Sequence, residues 1–118
     1  MAASSAVPSK QASEPMTDTT KVPAKFDELI HEPTRMRICG LLAQTTALKF
    51  STLRDTLGVS DAVCSKHVKA LADRHYVSTS KVKSENSNHQ VSWISLTKQG
   101  RRAFDGHMNM LRNIAEGK

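Results

Sequence analysis

Apolar positions recur along this chain in two rhythms, one near 3.6 residues and one of two. Ile38, Leu41 and Leu42 stand at i, i+3 and i+4 and predict a helix that Pro33 opens, in the first turn where a missing N–H costs nothing. Arg35 and Arg37 point away from that stripe. Upstream, Phe26-Asp27-Glu28-Leu29-Ile30 reads as a short first helix, with acids near its N-terminal end where the dipole favours them. Ala47-Leu48-Lys49-Phe50 is a brief extended piece. Ser51 then stands as N-cap to a helix over Thr52–Leu57, with Leu53 and Leu57 on its inner face and Gly58 as its left-handed terminator. Val59 anchors the turn, and Ser60 caps a longer helix from Asp61 to about His75. Cys64, Val68 and Leu71 recur there at i, i+4 and i+7. At roughly 100° per residue, Ala62, Lys66 and Lys69 fall on the opposite side.

After Tyr76-Val77 the period changes to two. Val77, Thr79, Lys81 and Lys83 alternate with Ser78, Ser80 and Val82. A polar tip, Glu85-Asn86-Ser87-Asn88-His89, precedes a second run through Val91 and Trp93 to Leu96, and the pair reads as a β-hairpin. Thr97 caps a last helix, Lys98 to about Ala115, in which Phe104, Met108, Leu111 and Ala115 share one stripe, widened by Ala103, Met110 and Ile114. The expected order is α-α-(β)-α-α-β-β-α, mostly helical with one small hairpin and no internal repeat.

Residues 1–24 break the pattern. Ala, Ser, Thr and Pro fill 15 of these 24 positions, and Leu, Ile and Phe are absent. Such a stretch buries too little apolar surface to offset the entropy of ordering it, so a disordered tail is expected over 1–24 and one domain over 25–118. Met16 is as suitable a start as Met1.

With 118 residues the chain holds one domain at most, which excludes large barrels and two-lobed enzymes. Its aromatics are one Trp, one Tyr and three Phe, so the core is aliphatic. No apolar run approaches the ~18 residues of a membrane span, and the N-terminus lacks the apolar stretch of a secretory signal; a cytoplasmic protein without membrane contact is expected. Cys39 and Cys64 are too few for a disulfide framework and lie on apolar stripes. The five histidines are scattered in sequence, so no metal site and no cofactor is expected. Without a Gly-rich phosphate loop, a nucleophile motif or paired carboxylates near a His, an enzyme is not expected.

Charge changes the picture more. The net charge is +6, and Ser60–Arg102 holds eight basic residues (Lys66, Lys69, Arg74, Lys81, Lys83, Lys98, Arg101, Arg102) against three acids (Asp61, Asp73, Glu85). Nearly all of the excess therefore lies in the second half, a footprint suited to nucleic acid. A short helix, a Gly-containing turn and a second helix make a helix-turn-helix. The second helix has the size that enters a major groove roughly 12 Å wide, and the hairpin can reach an adjacent backbone or minor groove with Lys81 and Lys83.

The run from Leu57-Gly58-Val59-Ser60 to Ala70-Leu71, then Tyr76-Val77 and Leu96-Thr97-Lys98-Gln99-Gly100-Arg101, resembles the winged helix-turn-helix transcriptional regulators of the MarR/ArsR-like superfamily, small single-domain type. Pro33-Thr34-Arg35-Met36-Arg37-Ile38-Cys39-Gly40-Leu41-Leu42 is similar to the first helix of those proteins, and the likeness covers about Phe26 to Arg112. It implies a homodimer on a pseudo-palindromic operator in double-stranded DNA. It carries a recognition role to Asp61, Ala62, Val63, Ser65, Lys66 and His67, and a wing role to Lys81–His89, including Lys83, Asn86, Asn88 and His89. Ser60, first an N-cap, and Lys69 join the expected DNA-binding set. Relatives often have Gly-Asn where Ala62-Val63 stand here; Val63 lacks an amide for adenine and offers contact to a thymine methyl. Relatives also often carry Arg at the wing tip, which is nearly neutral here.

Phe104, Met108 and Leu111 are read as a dimer seam, because a domain this small has little core for its surface and pairing terminal helices hides more apolar area. Two rival readings remain at this stage: a protein-interaction winged helix that touches no nucleic acid, and a redox- or effector-responsive sensor on the same fold.

Overall fold

The computed structural model describes residues 21–85 and 88–118. Helix α1 spans Pro33–Leu42. Its N-cap, Glu32, is extended (φ −71°, ψ 130°) and accepts a hydrogen bond from the Arg35 amide at 2.8 Å. The helix expected over 26–30 does not form. One turn stands there instead, closed by the His31 amide on the Asp27 carbonyl (3.0 Å) and the Ile30 amide on Asp27 Oδ1 (3.1 Å). Pro33 keeps that turn from running on into α1, because a residue before proline is pushed out of the helical region and Glu32 is extended.

Strand β1 is the two residues Leu48–Lys49, and α2 follows at once as Phe50–Leu57. The helix thus starts two residues early. Lys49, not Ser51, holds the N-cap position, with no side-chain cap, because β1 pairs right up to the helix start. Gly58 ends α2 in the left-handed region (φ 71°, ψ 33°), as its place predicts. Helix α3 spans Asp61–Asp73, with Ser60 Oγ accepting from the Val63 amide at 3.2 Å. His75, at φ 63°, turns the chain into β2 (Val77–Lys83). That strand pairs antiparallel with β3 (Gln90–Leu96) in register from Val77↔Leu96 to Lys83↔Gln90. β1 adds to the other edge of β3 through Leu48↔Ile94 and Lys49↔Trp93, giving the order β1-β3-β2. Helix α4, Lys98–Ala115, is capped by Thr97, whose Oγ1 accepts from the Gly100 amide at 2.9 Å.

The core joins Ile38, Cys39 and Leu42 of α1, Leu53 and Leu57 of α2, Cys64, Val68 and Leu71 of α3, and Tyr76, Val77 and Ile94 at the sheet. Full burial of each such side chain contributes about 1.5–3 kcal/mol. Together they fix α2 and α3 against α1 and leave the far side of α3 in solvent.

Helix α4 departs from its predicted stripe. Its buried positions are Gly100, Asp105, Gly106, His107 and Asn109, whereas Met108 and Leu111 are half-buried and Ala115 is exposed. The cause is a strap, residues 22–31, laid along the helix. The Lys25 amide bonds the Gly106 carbonyl (2.9 Å), Asn109 Nδ2 the Val22 carbonyl (2.9 Å), and the Asp27 amide donates to His107 Nδ1 (2.9 Å). Of the tail expected over 1–24, residues 1–20 lie outside the described residues; residues 21–24 run into the strap, and Val22 is buried.

Candidate nucleic-acid interface

Helix α3 is two-sided. Cys64, Val68 and Leu71 are buried, and Asp61, Ala62, Val63, Ser65, Lys66 and Lys69 are exposed, as is the capping Ser60. The exposed residues do not all stand free. Asp61 Oδ1 accepts from Arg54 Nη1 at 2.7 Å, and the same guanidinium bonds Asp55 Oδ1 at 2.9 Å. This ties the first turn of α3 back to α2. Lys69 Nζ lies 3.0 Å from Asp73 Oδ2, four residues on. Exposed pairs of this kind contribute little.

His67 is a correction. It was expected on the groove-facing side and is only 6% exposed, against α1. Its Nδ1 accepts from Arg35 Nη1 at 2.9 Å, while Arg35 Nε donates to the Leu29 carbonyl at 2.6 Å and Glu32 lies 3.8 Å from the ring. Arg35, expected to point away from the core, is therefore half-buried and holds α3 to α1. An imidazole that accepts from a guanidinium is neutral. Burial chiefly, with Arg35 and Lys66 adding to it and Glu32 opposing, lowers the His67 pKa below the usual 6.5. His67 positions α3 and has no free face for a base.

The hairpin brings the second basic element beside the first. Ser65, Lys69 and Val68 of α3 face Thr79 and Lys81 of β2 and Ser92 of β3 across a groove of about 280 Å³, floored by Phe50 and Ile94. Thr79 and Ser92 were missed by sequence reasoning. The signal was available, since Thr79 and Lys81 share one side of a strand by the period of two. Lys81, Lys83, Asn88 and His89 are exposed, and the Ser84 amide on the His89 carbonyl (2.9 Å) closes the base of the tip. Asn86 lies outside the described residues.

The proposed seam on α4 divides. Phe104 is packed on its own core, facing α1 across Gly40, and is removed from the seam. Met108 and Leu111 remain half-buried, and Ile114, one turn on, is 59% exposed. Both thiols are fully buried. Burial first, then Asp27, pushes the Cys39 thiol up to about 12, and burial raises Cys64 as well. Thiolate is the reactive form, so neither cysteine is poised for a redox role. The histidines are less scattered than their sequence positions: His107 Nε2 donates to His31 Nδ1 at 3.1 Å, with Phe26 against both rings. Among the described residues no three His, Cys, Asp or Glu side chains converge as a metal set.

Comparison with known proteins gives this geometry a family. The model of the winged helix DNA-binding domain matches residues 34–115. No curated protein matches. Among solved structures, a transcriptional regulator homologue from Pyrococcus horikoshii OT3 superposes with a TM-score of 0.70 at 19% identity, over 75% of this chain and 86% of that one. A possible transcriptional regulator for arsenical resistance gives 0.56 at 20%, over 77% and 94%. ZitR of Lactococcus lactis, a zinc-responsive MarR family member, gives 0.53 at 20%, over 71% of this chain and 56% of its own length. This chain thus spans little more than half of ZitR, and at these identities the likeness is one of fold. The family match runs from α1 to the end of α4 and takes in both walls of the groove: the chain belongs to the winged helix DNA-binding domain family.

Proposed function

We propose that this protein is a sequence-specific transcriptional regulator that binds double-stranded DNA as a homodimer. The observation that carries the reading is the two-sidedness of α3: its rear is locked into the core and its front, Ala62, Val63, Ser65, Lys66 and Lys69, is presented to solvent beside a basic hairpin. In the proposed complex that front enters the major groove and selects base edges. Lys81, Lys83 and the wing tip at Asn86, Asn88 and His89 take the adjacent backbone. Neutralising phosphates releases counterions and supplies most of the affinity.

Two copies related by a two-fold axis place their α3 helices on the order of 34–36 Å apart, which suits a pseudo-palindromic operator. The pairing surface is the half-buried stripe of α4, Met108 and Leu111, extended by Ile114. A cytoplasmic location follows from work on the cell's DNA; no described helix is long and apolar enough to cross a membrane.

An electrophoretic shift assay on a random-sequence duplex pool at increasing salt tests the reading. Binding falls steeply between low and moderate ionic strength. Absence of any shift at low salt makes this a protein-docking module instead. Lys66→Ala weakens binding about tenfold with an unchanged thermal melt. Leu111→Asp sediments as a monomer; an intact dimer in that variant moves the seam elsewhere.

A further inference from the structure

We infer that the leading turn of α3 reads thymine methyl groups, with Val63 as the specificity-determining contact. This rests on α3 being the groove-facing helix and adds what that helix recognises. The argument starts from the polar groups that a leading turn ordinarily offers to base edges. Here each has at least one partner within the protein. Ser60 Oγ accepts from the Val63 amide at 3.2 Å. Asp61 is held at 2.7 Å by Arg54, which is itself pinned on Asp55. His67, one turn further, is buried against Arg35. What the turn does present is Ala62 and Val63, the latter 37% exposed and among the few large apolar side chains in solvent in the described residues.

A β-branched residue at an exposed helical position loses χ1 freedom and is worse there than Ala by a few tenths of a kcal/mol. Val63 is not one of the positions that bury α3, which are Cys64, His67, Val68 and Leu71. The major groove has one apolar feature, the C5-methyl of thymine, and an aliphatic side chain is its complement.

The test uses the full chain and a duplex selected from a random pool. Each thymine is replaced in turn by deoxyuridine, which deletes the methyl and keeps the base pair. At one or two positions per half-site the dissociation constant rises about fourfold, the equivalent of one buried methyl. In Val63→Ala that ratio falls to near one, with the salt dependence unchanged. Equal affinity for thymine and deoxyuridine duplexes overturns the inference. So does a deoxyuridine penalty that persists in Val63→Ala, which assigns the methyl contact to another side chain such as Ala62, or the effect to DNA stiffness. Absence of any duplex binding overturns the parent reading and this one with it.

Discussion

Helices α3 and α4 are both amphipathic by sequence, yet they use their apolar stripes in opposite ways. In α3 the stripe Cys64, Val68 and Leu71 is the buried face, and the polar side is solvent. In α4 the deepest positions are polar, Asp105, His107 and Asn109, while Leu111 is half-buried and Ile114 exposed. The difference lies in what each helix packs against. The rear of α3 meets the aliphatic faces of α1 and the sheet. One side of α4 meets the extended strap, whose backbone has unpaired N–H and C=O groups that only polar partners satisfy. Covering that side turns the apolar stripe partly outward. One helix thus finishes its burial inside the chain and the other leaves apolar surface exposed, the surface proposed above for pairing.

The junction between the two helices is the place to break this arrangement outright. A Cβ built on Gly100 lies 2.0 Å from the Tyr76 carbonyl oxygen and 2.7 Å from its carbon. Backbone cannot swing aside as a side chain does, so Gly100→Ala must move α4 away from the Tyr76 turn between α3 and β2. The expected loss is about 3 kcal/mol or more, read as a collapsed urea midpoint. Gly40→Ala is the control, because its nearest neighbour, Phe104 Cζ, is 3.6 Å away; it leaves the midpoint within about 1 kcal/mol of the parent.

The strap is the next target. His107 is fully buried, accepts from the Asp27 amide and donates to His31. His107→Ala removes both bonds and leaves a cavity, at a cost of about 2–4 kcal/mol. It also speeds proteolysis at Lys25, whose amide is held by Gly106. Acid probes the same contact. Burial chiefly, and His31 next, lower the His107 pKa below 6.5, against the pull of Asp27; His67 is lowered in the same direction by its own burial. With both values depressed in the folded state, the unfolded chain binds protons more readily. Stability is therefore retained above about pH 6.5 and lost as pH falls below it, by no more than about 1.4 kcal/mol per pH unit for each histidine. Urea midpoints at pH 8 and pH 5 give this slope, and it is shallower in His107→Ala. A midpoint that rises on acidification reverses the assignment of neutral rings.

What the sequence made legible divides along the same line. The Ser60 cap, the Gly58 terminator, the α3 stripe and the hairpin follow from local spacing, and the structure has each where local spacing puts it. His67 was misplaced although the spacing was legible: it stands at i+3 from Cys64, on the buried side, and its groove-facing role came from the resemblance. The partners that make it tolerable, Arg35 and Glu32, are more than 30 positions away. The interior of α4 was illegible for the same reason on a larger scale, since Asp27 and His107 are 80 positions apart. Of the interface, Lys66, Lys69, Lys81 and Lys83 were readable as exposed cations. The groove between α3 and the wing, with Thr79 and Ser92, needed the tertiary packing.

The two N-caps sharpen the comparison at smaller amplitude. Ser60 Oγ makes one cap bond, at 3.2 Å, in an exposed turn. Thr97 Oγ1 accepts from the Gly100 amide at 2.9 Å and donates to the His75 carbonyl at 2.7 Å, so one hydroxyl starts α4 and ties down the turn that leads from α3 into β2. Capping substitutions cost about 0.5–2 kcal/mol, least where water replaces the lost acceptor. Thr97→Ala belongs at the upper end, because it frees the His75 carbonyl as well as the first amides of α4, and Ser60→Ala at the lower. Thermal melts of the two variants rank them. Should Ser60→Ala prove the costlier, the first turn of α3 is held by its cap rather than by the Arg54–Asp61 contact, and the rigidity of the proposed probe has a different source.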